Sequence, residues 1–195
     1  MIDLAPAARE VARLLDGVPD DALGRPTPSD IPVAQLLDHL MGLTLAFTWA
    51  ARKTPPEGGS QPPSSRADAL DPAWRDELPR RLDELVAAWR EPAAWEGLTE
   101  AGGVTMPAEA MGVVALDELV MHGWDLARAT GQDFHCDEAS AAAVLEFTRQ
   151  SAGPEFAAQR EGLFGPVVPV PEGAPPFHRA LGFAGRDPAW SPPAG

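Results

Sequence analysis

A single cysteine, Cys136, excludes an intramolecular disulfide and any zinc cluster built from several thiolates. Tyrosine is absent, lysine occurs only as Lys53, and no basic run interrupts the 195 residues. With a formal net charge of −14, the chain lacks the electrostatic footprint of a nucleic-acid binder and has no attraction to an anionic membrane surface. No stretch nears the roughly 20 consecutive apolar residues of a membrane span. Met1 to Pro6 has neither the basic segment nor the apolar run of an export signal. A cytoplasmic location is expected, and one unpaired cysteine fits a reducing compartment. The excess of alanine, proline and arginine over lysine suggests a GC-rich bacterial genome and carries no chemistry.

Apolar residues make up 45% of the chain, ample for one core, and they recur at helical spacing. The spacing predicts a first helix over Leu4–Leu15, ended by Gly17 and Pro19. A second helix is expected from Val33 to Arg52, with Ser29 and Asp30 as candidate caps and Pro32 in its first turn. Thr54–Ser65, with four prolines and two glycines, reads as a loop. Asp71 and Pro72 suit the cap and first position of a third helix reaching Trp89, with Pro79 kinking it or delaying its start by one turn. Val104–Met106 suggests a short extended piece, and no strand pair is expected. A fourth helix over Ala108–Ala129 ends at Gly131, and a fifth over Asp137–Gln150 is capped by Asp137. After Gly153 the periodicity fails; Pro166–Pro171 reads as extended and Phe177–Gly182 as a short helix. The expected fold is an all-α four-helix bundle with an extra helix and an irregular C-terminal tail. Residues 1–153 would form the bundle, and 154–195 an extension packed on it.

Two segments carry chemistry. Glu118 and His122 are four apart within Leu116–Leu126, so on a helix their side chains stack on one face, along the stripe Met111, Ala115, Glu118, His122. His39 shares an inward stripe of the second helix with Leu36, Leu43 and Phe47. Burying these three polar groups is costly unless something satisfies them, and a divalent metal would. A Glu-x-x-x-His spacing is weak evidence taken alone, and a hydrogen-bonded His122 beside a half-exposed Glu118 would equally explain it. Asp125 and Arg128, three apart, suggest a surface or rim ion pair, although Asp125 or Asp38 could instead orient a metal-bound histidine. Trp124, Met41, Met111 and Met121 suit the bundle interior, whereas His135 and Cys136 suit a solvent-facing connection. His178 in the tail has no spacing that ties it to the site.

Asp38–Gly42 on the second helix, Asp117–Gln132 on the fourth and Leu181–Pro188 in the tail resemble the DinB-like metal-binding bundles. More specifically, these segments resemble the branch related to the N-terminal domain of mycothiol-dependent maleylpyruvate isomerase. The resemblance implies a divalent metal held by His39, Glu118 and His122, with zinc the commonest expectation and nickel or iron chemically possible. Three protein ligands leave a position open for water or for a small thiol such as mycothiol, whose pKa the metal would lower. That implies a metal- and thiol-dependent transferase or isomerase acting on a small-molecule substrate; the alternative is a non-catalytic bundle with a structural or vestigial metal. No catalytic side chain is singled out. No second domain of comparable size follows Gly153, which sets the chain apart from the isomerase. An exposed apolar face would make a homodimer plausible.

Overall fold

The helix α1 (Ala5–Asp16) opens where the Asp3 carboxylate accepts from the Ala5 N–H at 2.9 Å. Its buried face is Leu4, Ala7, Ala8, Val11, Leu14 and Leu15, the stripe expected from the spacing. The computed structural model describes residues 1–62, 64–153, 155, 160 and 164–193. The loss of periodicity expected after Gly153 falls partly outside the described residues, but 164–175 are described and carry neither helix nor strand.

Helix α2 (Val33–Arg52) starts one residue after Pro32, and no side chain caps it. Ser29 and Asp30 are instead spent on a tight turn, with Asp30 at φ 60° and Thr27 bonding both Ser29 and the Ile31 carbonyl. Backbone carbonyls replace the expected caps: Val33 N–H donates to Arg25 O at 3.0 Å and Ala34 N–H to Leu23 O at 2.9 Å. Helix α3 (Trp74–Trp89) starts two residues later than Asp71 and Pro72 suggest, and it accommodates Pro79. Asp71 closes the preceding turn, its carboxylate accepting from Ala73 N–H at 2.8 Å.

The expectation of no strand pair fails. Antiparallel β1 (Leu98–Ala101) and β2 (Val104–Pro107) form a hairpin, joined by Gly102 and Gly103 at φ 58° and 77°. A Gly-Gly pair with both residues at positive φ is the turn chemistry a two-residue hairpin needs. The strands stay short because Leu98 and Val104 face solvent rather than a second layer. Thr99 on β1 donates to Ala50 O at 2.5 Å, which fixes the hairpin to the C-terminal end of α2.

Helix α4 (Ala108–Thr130) ends at Gly131, whose φ of 71° suits a glycine, as the sequence indicates. Helix α5 (Glu138–Gln150) is capped by Asp137, which accepts from Ala139 and Ser140 N–H groups at 3.1 and 3.0 Å. A short α6 (Pro176–Phe183) follows. Helices α1 to α4 pack in a ring, α1 on α3, α3 on α2, α2 on α4 and α4 on α1. Leu36, Leu37, Leu40, Leu82 and Leu116 fill its interior at 1% exposure or less. This is an all-α bundle with an additional helix, as expected, plus the small hairpin. Helix α5 packs against both α4 and α6.

Trp89 and Trp95 meet edge to face with centroids 4.9 Å apart, seated on Gly112 of α4. A Cβ at Gly112 would lie 2.4 Å from the Trp95 ring and 3.0 Å from that of Trp89. Gly112→Ala should therefore destabilise the bundle by about 1–3 kcal/mol, the usual cost of overpacking. Urea unfolding followed by tryptophan fluorescence would measure it, and an unchanged midpoint would contradict this packing.

Candidate metal centre

Helices α2 and α4 pack side by side, and their shared outer edge carries His39, Glu118 and His122. Helical spacing puts Glu118 directly below His122, and their Oε2 and Nε2 atoms are 3.0 Å apart. His39 Nε2 approaches the same Glu118 oxygen at 3.7 Å. The imidazoles meet at right angles with centroids 4.8 Å apart. One ligand atom from each residue falls within 4.8 Å of the other two, an arrangement that could hold a metal ion. Donor atoms around a tetrahedral zinc with bonds of about 2.0–2.1 Å stand roughly 3.3–3.4 Å apart. The separations of 3.0 and 3.7 Å bracket that edge. All three side chains keep a solvent side: His39 is 20% exposed, Glu118 27% and His122 13%.

The far side of His122 is closed. Its Nδ1 lies 3.2 Å from Asp125 Oδ2, leaving Nε2 turned toward Glu118. Asp125 has no exposure and is gripped by Arg186, whose Nη2 donates to Oδ2 at 2.8 Å and Nε to Oδ1 at 3.1 Å. The expected Asp125–Arg128 pair is therefore absent. Asp125 turns into the buried face toward Arg186, while Arg128 reaches the Trp190 carbonyl, with Nε at 2.9 Å. Of the two residues considered as orienters of a histidine, Asp125 occupies that position. Asp38 does not; it accepts from Arg66 N–H at 2.9 Å.

These contacts set the ionisation of the cluster. Burial alone would raise Glu118, but the neighbouring imidazoles of His122 and His39 outweigh it and hold the carboxyl well below the ordinary carboxylate range. Burial likewise opposes charge on His122, yet Asp125 and Glu118 together push it up from 6.5 to about 9. Asp125 is lowered against its own burial, mainly by the Arg186 charge. Two carboxylates are thus balanced by one guanidinium and one imidazolium. No cation remains for Asp117, which is 4% exposed and whose Oδ1 has no partner among the described residues. Burial and the neighbouring Glu118 charge push it up to about 8.

Trp124, Met41, Met111 and Met121 are buried, as expected of interior residues. His135 and His178 face solvent. Cys136 is half-buried against the core rather than fully solvent-facing, and burial pushes its thiol up to about 12. The sequence reading missed Arg186 and Asp117. Arg186 stood inside the tail motif, but a partner 61 residues away leaves no local signal. Asp117, beside Glu118, could have been flagged as an acid on an apolar helix face.

Bundle and site together define a DinB-like helical protein carrying a histidine–glutamate–histidine cluster across two neighbouring helices. Residues 4–127 match the model of the mycothiol maleylpyruvate isomerase N-terminal domain, and the chain belongs to that family. It is also 29% identical, over 187 residues, to an uncharacterized protein of Mycobacterium tuberculosis found in two strains, covering 90% of this chain and 91% of the relative. Among solved structures, the crystal structure of the mycothiol-dependent maleylpyruvate isomerase superposes with a TM-score of 0.58 at 20% identity, covering 77% of this chain and 70% of that one. A histidine-to-alanine mutant of that isomerase gives 0.54 at 18% identity. At such identities the superposition shows the shared fold. Among the described residues, no helix is long and apolar enough to cross a membrane.

The charge balance makes the metal-free protein sensitive to alkali. His122 binds its proton more tightly folded than unfolded, so its contribution is full below pH 6.5 and lost as pH rises through about 9. Asp117 acts in the same direction: folded, it holds a proton up to about pH 8, whereas unfolded it ionises near 3.8. Tm in the presence of chelator should fall steadily between pH 6.5 and 9, and Asp117→Asn should flatten that fall. A Tm that rises across this range would contradict the balance described.

Proposed function

We propose that His39, Glu118 and His122 hold a divalent metal and that the protein uses it with a small thiol, in a transfer or isomerisation on a small-molecule substrate. The observation that carries the reading is the convergence of two imidazole nitrogens on one Glu118 oxygen, at 3.0 and 3.7 Å, at a partly open edge. Two imidazoles and one carboxylate are the donor set of catalytic zinc sites, with nickel and iron as chemical alternatives. The negative charge of Glu118 fits the same reading, because a cation between the donors would replace the proton of the His122 imidazolium as its partner. When bound, the ion would supply Lewis acidity, lowering the pKa of a thiol or water in its open position.

The protein's own groups then have separable tasks. Asp125 holds the Nδ1 side of His122, which keeps Nε2 free to act as a ligand. Glu118 adds negative charge, and His39 ties α2 to the site. The exposed sides of His39 and Glu118 leave room for a second molecule to approach. Mycothiol is the thiol favoured by family membership, since the family model bears its name and the isomerase of similar fold depends on it. We take residues 1–153 as the metal-binding unit and 154–195 as an extension of it.

Elemental mass spectrometry on untagged protein tests the reading. Near-stoichiometric metal is expected in the parent and little in folded His39→Ala and His122→Ala variants. In cobalt-substituted protein, a small thiol should add a thiolate-to-metal charge-transfer band. No metal in the parent after reconstitution with zinc, nickel and iron would overturn the proposal, and metal with no response to thiols would restrict it to a structural site.

A further inference from the structure

Arg186 is aimed by the way α6 ends. Gly185, at φ 80°, donates to the Gly182 carbonyl at 3.1 Å, and Arg186 N–H donates to Leu181 O at 2.8 Å. This pair of bonds is a Schellman motif, which fixes the backbone of the residue after the glycine. The arginine side chain leaves that fixed point and is 8% exposed. Its Nη1 is held by Ala184 O at 3.1 Å, so the fork that faces Asp125 has little freedom. Nε and Nη2 then grip both oxygens of a carboxylate with no exposure, and Oδ2 also meets His122 Nδ1 at 3.2 Å.

We infer that Arg186 is a positioning residue: by fixing Asp125 it fixes the His122 ring, and it couples the docking of residues 181–186 to ligand binding at His39, Glu118 and His122. The inference rests on the metal-site reading above and adds a part of the chain remote in sequence to it. A flexible ammonium could supply the charge but not the fork, so Arg186→Lys should not substitute. Coupling of this kind is reciprocal, so an ion at the centre should tighten the docked segment by the factor that the segment adds to ion affinity. The coupling is distinct from general docking of the tail, because Arg128 anchors Trp190 on the same helix without touching Asp125.

The test uses the full chain with Arg186→Met, Arg186→Lys and Arg128→Met. In metal-free protein, the His122 Nδ1 proton held by Asp125 should give a slowly exchanging low-field NMR resonance. That resonance should be present in the parent and in Arg128→Met, and lost in both Arg186 variants. Zinc affinity, measured by competition with a chromophoric chelator, should fall about 10–100-fold in the Arg186 variants, the range typical of losing an outer partner of a ligand. It should hold in Arg128→Met. If Arg186→Met does not fold, the charge-conserving Arg186→Lys carries the comparison. Resonance and affinity kept in Arg186→Lys, or lost equally in Arg128→Met, would overturn the inference. A parent that binds no metal would overturn the metal reading instead, and the resonance would still decide the positioning claim.

Discussion

Asp125 is a carboxylate with no solvent exposure, and the site depends on what makes its burial tolerable. An unpaired charge in such a place costs several kcal/mol. Arg186 meets it from the C-terminal segment and His122 from its own helix, so one buried anion ties the C-terminal segment to α4 and to the cluster it carries. The Arg186 fork satisfies the carboxylate geometrically as well as electrically. The remaining contact orients the His122 ring toward Glu118.

The bundle supplies what such a cluster needs. Helices α2 and α4 are long, closely packed and filled with leucine and alanine, so His39 and His122 stand on rigid supports. Donors drawn from two neighbouring helices would make the proposed centre sensitive to their packing, which Gly112 and the Trp89–Trp95 pair hold at one end. The hairpin braces that same end through Thr99 and Ala50. Glu118 and His39 are partly exposed, which fits the open position of the proposed centre.

The helices and the three converging residues were legible in the sequence because both signals are local. Glu118 and His122 share a helix, and His39 interrupts an apolar stripe that had to face inward. The tail motif around Arg186 was visible as a pattern, but its role depends on a contact across 61 residues. Asp125 was paired with Arg128 on spacing alone, and burial reversed that choice because the deeper face of α4 offered a better partner. The missing cap at α2 has a similar cause: distant carbonyls of Leu23 and Arg25 did the work that a nearby side chain usually does. The hairpin was overlooked although Gly102-Gly103 announced it, since strands of four residues carry too little alternation to register.

The central claim is that this charge-balanced cluster is a metal centre with an open position. X-ray absorption at the metal edge of zinc-reconstituted protein tests it most directly. The account predicts a nitrogen and oxygen shell at about 2.0–2.1 Å with outer scattering from two imidazoles, and a sulfur at about 2.3 Å once a small thiol is added. An oxygen-only shell without imidazole scattering would contradict it.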